Sequence, residues 1–492
     1  MIHIRFACLS ALVWSWATVA AAGDVRLIDA VKSRNIETVR ALITQRVDVN
    51  VPQGDGATAL HWAVHLEDAS TADLLIRSGA RVDAADDTGA TPLYLACTNR
   101  SAAMVEKLLK AGANANASLL NGETALMTCA RTGDLGAVSA LLARGANVNA
   151  KEPAHDQTAL MWAAAQKHPQ VVQALIAGGA NVAARSRVYT QTVTSEVTQR
   201  AGREELNYTV PRGGSTPLLF AARSGDAESA RLLLAAGADV NDALPNGASA
   251  LVEAAHSGHE GVGLALLDKG ADPNAAGAGY TALHAAVLRS GATLVRALLA
   301  RGANPNLPIT KGTPVRRNSE DFELPATLIG ATPYLLAAKF LEVDIMQALA
   351  ARGADTRLAM KTGVTPLMAA AGVGAGAQVD RRGLSVLDGG KLEDERRALD
   401  AVTAALSLGA NLDAASESGD TALHGAASLG YDSVVRLLAE RGAALNVKNK
   451  RGQTPLASAM ARRREGTRAA DAAGQVARQS TVDLLRTLGA SE

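Results

Sequence analysis

Three stretches of this 492-residue chain carry the residue types of known reactive motifs. His259-Glu260-Gly-Val-Gly263 opens as a zinc-protease helix does, with an imidazole followed by a carboxylate, but the second imidazole needed one helical turn later is replaced by Gly263. Gly277, Gly279 and Ala282 have the spacing of a dinucleotide-phosphate cradle without a β-α-β setting around them. Gly390-Lys391-Leu392 has the lysine of a phosphate loop but neither its upstream glycine nor its following hydroxyl, and no G-x-S-x-G nucleophile turn occurs. Cys97 and Cys129 form no C-x-x-C pair and no Cys/His metal spacing. The expectation is therefore no catalytic residue, no metal and no cofactor. An alternative is an enzyme or small-ligand site built by insertion residues, with Glu320, Asp321 and Glu323 near Arg316 and Arg317.

The elements that would position any such group are repeats. A tetrapeptide opening with Thr or Ser recurs as Thr58-Ala-Leu-His61, Thr91-Pro-Leu-Tyr94, Thr124-Ala-Leu-Met127, Thr158-Ala-Leu-Met161, Thr216-Pro-Leu-Leu219, Ser249-Ala-Leu-Val252 and Thr281-Ala-Leu-His284. It continues as Thr332-Pro-Tyr-Leu335, Thr365-Pro-Leu-Met368, Thr421-Ala-Leu-His424 and Thr454-Pro-Leu-Ala457, so a period of 33 runs through the chain with three interruptions. The Thr hydroxyl caps a helix whose first residue is often Pro, where a missing N–H costs nothing. Gly133, Gly225, Gly258 and Gly430 turn the chain into a second helix, and glycines such as Gly442 end it in the left-handed region. Apolar residues are 48% but aromatics only 3%, so small aliphatic side chains do the packing and helices approach closely. Lys+Arg 49 against Asp+Glu 48 leaves a net +1, which argues against a dedicated nucleic-acid binder or a polybasic membrane protein.

This pattern closely resembles the ankyrin repeat, above all in Gly419-Asp-Thr421-Ala-Leu-His424-Gly-Ala426-Ala427 followed by Gly442-Ala-Ala-Leu-Asn446. The resemblance covers nearly all of residues 23–492, with Asp24 to Asn50 as an N-terminal capping copy, and implies an all-α repeat solenoid of about twelve helix-turn-helix repeats with finger turns. It also implies that His61, His284 and His424 hydrogen-bond backbone between repeats, and that His259 is a turn histidine. By the same resemblance the protein is a non-enzymatic scaffold that binds another protein on the concave face of fingers and first helices.

Three insertions interrupt the array. Residues 185–214 replace a finger turn with two β-branched runs around a glycine, which predicts a β-hairpin. Residues 307–330 contain Pro308, Pro314 and Pro325 and predict an irregular loop. Residues 373–397 fall between the two helices of one repeat, with Glu393-Asp-Glu395 at a helix start. The last copy departs too, with a longer helical region predicted from Arg462 to Ala477.

Residues 1–22 read as a signal peptide of an exported, bacterial protein, periplasmic or secreted, with no stable membrane insertion after cleavage. Cys97 and Cys129 occupy nearly equivalent positions of adjacent copies, where helices packed about 8–10 Å apart normally hold Cα atoms out of disulfide reach, so both are expected as buried thiols, with a bridge in an oxidising compartment as the alternative.

Candidate partner-binding residues come from the repeat register. Seven positions after the tetrapeptide Thr or Ser stand His65, Arg131, Arg223, His256 and Lys339; four positions after it stand Trp62, Trp162 and Phe220. Together they are expected to form a cationic, aromatic-studded groove for a partner with an acidic surface; the alternative is that the aromatics belong to the packing between helices and the charges form a solvated row.

Overall fold

The computed structural model describes residues 24–194, 207–312, 324–374, 391–461 and 479–491. The tetrapeptides start first helices, from Ala59–His65 in the second repeat to Pro455–Met460 in the twelfth, and second helices such as Ala69–Arg77 and Asp432–Glu440 follow after short turns. The capping copy supplies Arg26–Lys32 and Ile36–Thr44, and a helix over 479–487 closes the stack, so the described residues contain twelve helix pairs. First helices pack on first helices and second on second. The insertions do not break the order: Ala159–Ala165 packs on Pro217–Ser224, Ala282–Leu288 on Pro333–Lys339, and Pro366–Ala370 on Ala422–Leu429. One apolar core therefore runs the length of the array, with Leu60, Leu93, Leu126, Leu160, Leu218, Leu251 and Leu283 almost fully buried at one register position.

Local chemistry accounts for each pair. The hydroxyl of Thr91 accepts from the Tyr94 amide at 3.3 Å, and Thr124, Thr216, Thr332 and Thr454 cap in the same way. Gly133, Gly225 and Gly430 end first helices at φ of 79°, 84° and 74°. Where a copy lacks that glycine, Glu67, Arg100, Lys167, Ser290 and Leu341 take left-handed conformations near 60°, which side chains with a Cβ adopt at a cost of about 1 kcal/mol.

Neighbouring copies are also fastened by two polar ladders. At the end of a repeat, Asn116 accepts from the Asn147 amide at 2.7 Å and donates to the Gly145 carbonyl at 3.2 Å. Asn50, Asn149, Asn274 and Asn306 repeat this pattern, the last across the second insertion to Gly353 and Asp355. A second ladder ties the carbonyls left open at first-helix ends to the following repeat: Arg131 to His168, Ala164 to Ser224, Arg223 to His259 and Phe340 to Arg397.

The first insertion forms the expected hairpin, β1 (Tyr189–Thr194) antiparallel to β2 (Asn207–Arg212), with Tyr189 opposite Arg212. The described ends of the second insertion hold a short 3₁₀ turn at Ala326–Leu328, and the third leads into Lys391–Ser407, a 17-residue helix with Glu393 and Asp394 in its first turn. Residues 462–478, where a longer helical region is predicted, lie outside the described residues, as do residues 1–22.

The cysteines correct the sequence reading. Cys97 and Cys129 are joined in a disulfide between the first helices of repeats three and four, with Cα atoms 4.7 Å apart. The expected separation is that of helix axes carrying bulky side chains. Here Ala96 and Ala130, both fully buried beside the cysteines, leave little side-chain bulk between the backbones, so the two Cα atoms stand well inside the axial spacing.

Candidate functional site

The first helices and the finger turns meet along one face, and the candidate residues lie in rows along it. The structure connects the rows in a way that the sequence reading missed: a cation seven positions into one copy reaches the residue four positions into the next. Lys32 lies 4.3 Å from the centre of the Trp62 ring, Arg131 lies 5.5 Å from that of Trp162, and Arg223 pairs with Glu253 at 3.1 Å. Fingers hold the aromatic partners in place. The Trp62 indole donates to Gln53 at 3.2 Å, where Lys32 also donates at 2.7 Å, and the Trp162 indole donates to Gln157 at 2.8 Å. His65 meets Trp62 edge to face at 5.6 Å, and His256 lies 6.2 Å from Tyr280. Phe220 is half-buried against the core.

Lys32 was absent from the predicted set because the first copy lacks the tetrapeptide; counting back one period of 33 from Thr58 reaches Val25, and seven further residues reach Lys32. Glu123 and Glu253 also escaped notice, and they change the electrostatics. Arg131 lies 3.5 Å from Glu123, which additionally accepts from the Thr128 hydroxyl at 2.7 Å, so Arg131 and Arg223 each face a carboxylate of this same chain. The row is thus not a run of open cations. Lys339 differs. No carboxylate lies within ion-pair distance of it among the described residues, the position it would reach in the next copy is Ala369, and burial holds its ammonium below the ordinary lysine range.

Beyond Lys339 the rows empty. Gly372 and Ala461 follow at the seventh position and Gly425 and Ser458 at the fourth, and a niche of about 310 Å³ opens there, lined also by Asp420, His424, Ser428 and Arg451.

The histidines of the tetrapeptide are structural. The Thr58 amide donates to Nδ1 of His61, whose Nε2 lies 3.0 Å from the Ala90 carbonyl of the following copy, and His424 makes the same bridge to Gln453. His284 departs from the expectation: its Nδ1 caps Thr281, but its buried Nε2 faces the Ala331 carbonyl beyond the second insertion without a hydrogen bond. Burial pulls its pKa down to about 4 and lowers those of His61 and His424. His259 spans copies to the Arg223 carbonyl as a turn histidine. Among the described residues, no group of three His, Cys, Asp or Glu side chains could hold a metal, and no helix is long and apolar enough to cross a membrane. Arg316, Arg317, Glu320, Asp321 and Glu323 lie outside the described residues.

Repeats stacked on one core, capped by Thr and bridged by His and Asn, define a helical repeat solenoid. A family profile described as "Ankyrin repeats (3 copies)" matches residues 27–118, 104–186, 199–277, 218–309 and 395–469, more than half of the sequence, and the chain belongs to the ankyrin-repeat family. It is 41% identical over 121 residues to an ankyrin repeat-containing protein of Treponema pallidum (strain Nichols), covering 24% of this chain and 41% of that protein. It is 40% identical over 108 residues to Protein PhlB of Serratia liquefaciens, covering 22% of this chain and 40% of that one. The chain thus spans about two fifths of the length of these curated relatives. The crystal structure of the human ASB11 ankyrin repeat domain is 28% identical, with a TM-score of 0.40, over 50% of this chain and 98% of that one. Ankyrin repeats generally mediate protein–protein interaction, and the fold is typically a non-enzymatic scaffold.

Proposed function

We propose that this protein is an exported, non-enzymatic bacterial adaptor that holds another protein along the face formed by its fingers and first helices. The observation that carries this reading is the row of half-buried Trp62 and Trp162 with Lys32 and Arg131 stacked on them, each indole fixed by a glutamine of its finger. Trp and Arg are the residue types that dominate interface energetics, and side chains held in place beforehand lose little entropy when a partner binds. Export draws support from the signal-like residues 1–22 and from the Cys97–Cys129 disulfide, a bond that persists in oxidising compartments.

The test is capture from a bacterial envelope fraction by the mature chain and by the R131E/R223E/K339E variant, with circular dichroism to establish that both are folded. The expected result is one or more proteins retained by the wild type in a salt-dependent manner and lost from the variant. Retention of the same proteins by both, with the same salt dependence, would show that this face is not the working surface.

A further inference from the structure

The rows on the finger face follow a rule with one vacancy. At three junctions the cation of one copy finds its counterpart in the next: Trp62 for Lys32, Trp162 for Arg131, and Glu253 for Arg223. At the junction of repeats nine and ten the cation is present and the counterpart is missing, because Ala369 occupies the fourth position. The same repeat has a first helix of five residues, Pro366–Ala370, and then Gly372, so among the described residues nothing bulky projects there. At Gly425 an added Cβ would sit 2.7 Å from the Ala371 carbonyl, so the floor of the adjoining niche admits no side chain. Arg451 also lines that niche; its own carboxylate, Asp420, is 3.9 Å away and already accepts from Asn449 and Ser418 at 2.7 Å each. The finger tips above carry Lys361 and Lys450, with Glu417 between them.

We propose that repeats nine to twelve seat a carboxylate-rich segment of the protein partner, one carboxylate taking the empty place before Ala369 on Lys339 and another reaching Arg451 across the glycine-floored niche. A partly desolvated ammonium that finds no counter-ion among the described residues is unfavourable, and an incoming carboxylate relieves that cost where Arg131 and Arg223 would first have to give up their own. The orientation follows: the acidic stretch of the partner lies toward the C-terminal repeats, and its remaining contacts lie over the tryptophans of repeats two and five.

This inference rests on the finger-face reading, but its test addresses Lys339 directly and does not need the natural partner. The full mature chain is reductively ¹³C-dimethylated, the Lys339 methyl signal is assigned with K339R, and hexaglutamate and hexaglutamine peptides are titrated in. The expected result is a saturable shift of the Lys339 signal with hexaglutamate and none with hexaglutamine. A369E, which supplies a carboxylate in cis as Glu253 does for Arg223, is expected to abolish the response. K339M is expected to weaken labelled hexaglutamate binding about tenfold in fluorescence polarisation, with K269M, at the C-cap of the second helix Glu260–Asp268, as the control that leaves it unchanged. A Lys339 signal that stays still, or moves equally with both peptides, overturns the proposal, as does unchanged binding by K339M. Failure of these titrations alongside partner capture that is lost in the triple variant would remove the acidic seat and leave the finger-face reading standing.

Discussion

His284 shows how a residue that looks reactive becomes a liability in acid. Its ring is fully buried with one nitrogen capping Thr281, and burial disfavours the charged form, so the neutral form is held with a pKa of about 4 against an ordinary 6.5. A group whose folded pKa is depressed in this direction binds its proton more readily in the unfolded chain. Its contribution to stability is therefore complete above pH 6.5 and is lost as pH falls toward 4. Between pH 7 and 4.5 that amounts to roughly 2–3 kcal/mol for His284 alone, at 1.36 kcal/mol per pKa unit. His61 and His424 act in the same direction. Urea unfolding of wild type and H284Q at the two pH values isolates the effect, since the carboxylates common to both cancel. H284Q is expected to lose clearly less stability on acidification; an equal loss in both chains would place the acid sensitivity elsewhere.

Between elements, the disulfide acts on the pair of first helices that it joins. It closes a loop with a sequence separation of 32, and in the chain-entropy account a loop of this size stabilises by about 3–4 kcal/mol. Reduction, or C97A/C129A, is therefore expected to lower the urea midpoint and to raise hydrogen exchange first in Pro92–Thr98 and Ala125–Thr132, read by mass spectrometry; unchanged exchange in those two helices would mean that packing alone holds them. These cysteines also mark where the sequence stopped being readable. Helix existence, the Thr caps, the hairpin and the positions of the insertions follow from period and residue type, because each depends on neighbours close in the chain. Whether Cys97 meets Cys129 depends on how far Ala96 and Ala130 let two backbones approach, and whether Arg131 is an open cation depends on Glu123 reaching across from a finger. The site rows were legible for the same reason as the helices, through register, whereas Lys32 was hidden by a copy that has lost its marker, and the counterparts Glu253 and Ala369 became meaningful once copies were seen side by side.

Across the whole molecule, cooperativity depends on each copy being fastened to the next, and the fastening is not uniform. Buried helix faces are continuous, but the asparagine ladder is interrupted after repeat five, where Ala183 stands in the place of Asn149 or Asn116. Arg185 replaces it: the guanidinium donates to the Gly214 carbonyl at 2.8 Å and the Ala243 carbonyl at 3.2 Å and pairs with buried Asp242, which also accepts from the Thr216 hydroxyl at 2.5 Å. One side chain thus binds repeat five to repeats six and seven beneath the hairpin. In a stack where each unit touches its neighbours alone, a weakened interface lets the blocks on either side unfold separately. Removing Arg185 leaves Asp242 buried without its cation, a loss of about 1–3 kcal/mol confined to that seam. R185A is therefore expected to split urea unfolding into two transitions, with hydrogen exchange protection lost at different urea concentrations on the two sides of the hairpin. N149A, which cuts the ladder at a seam without an insertion, serves as the comparison and is expected to shift a single transition. If R185A and N149A behave alike, the continuous core rather than the polar fastener sets the size of the cooperative unit, and Arg185 contributes no more than an ordinary step of the ladder.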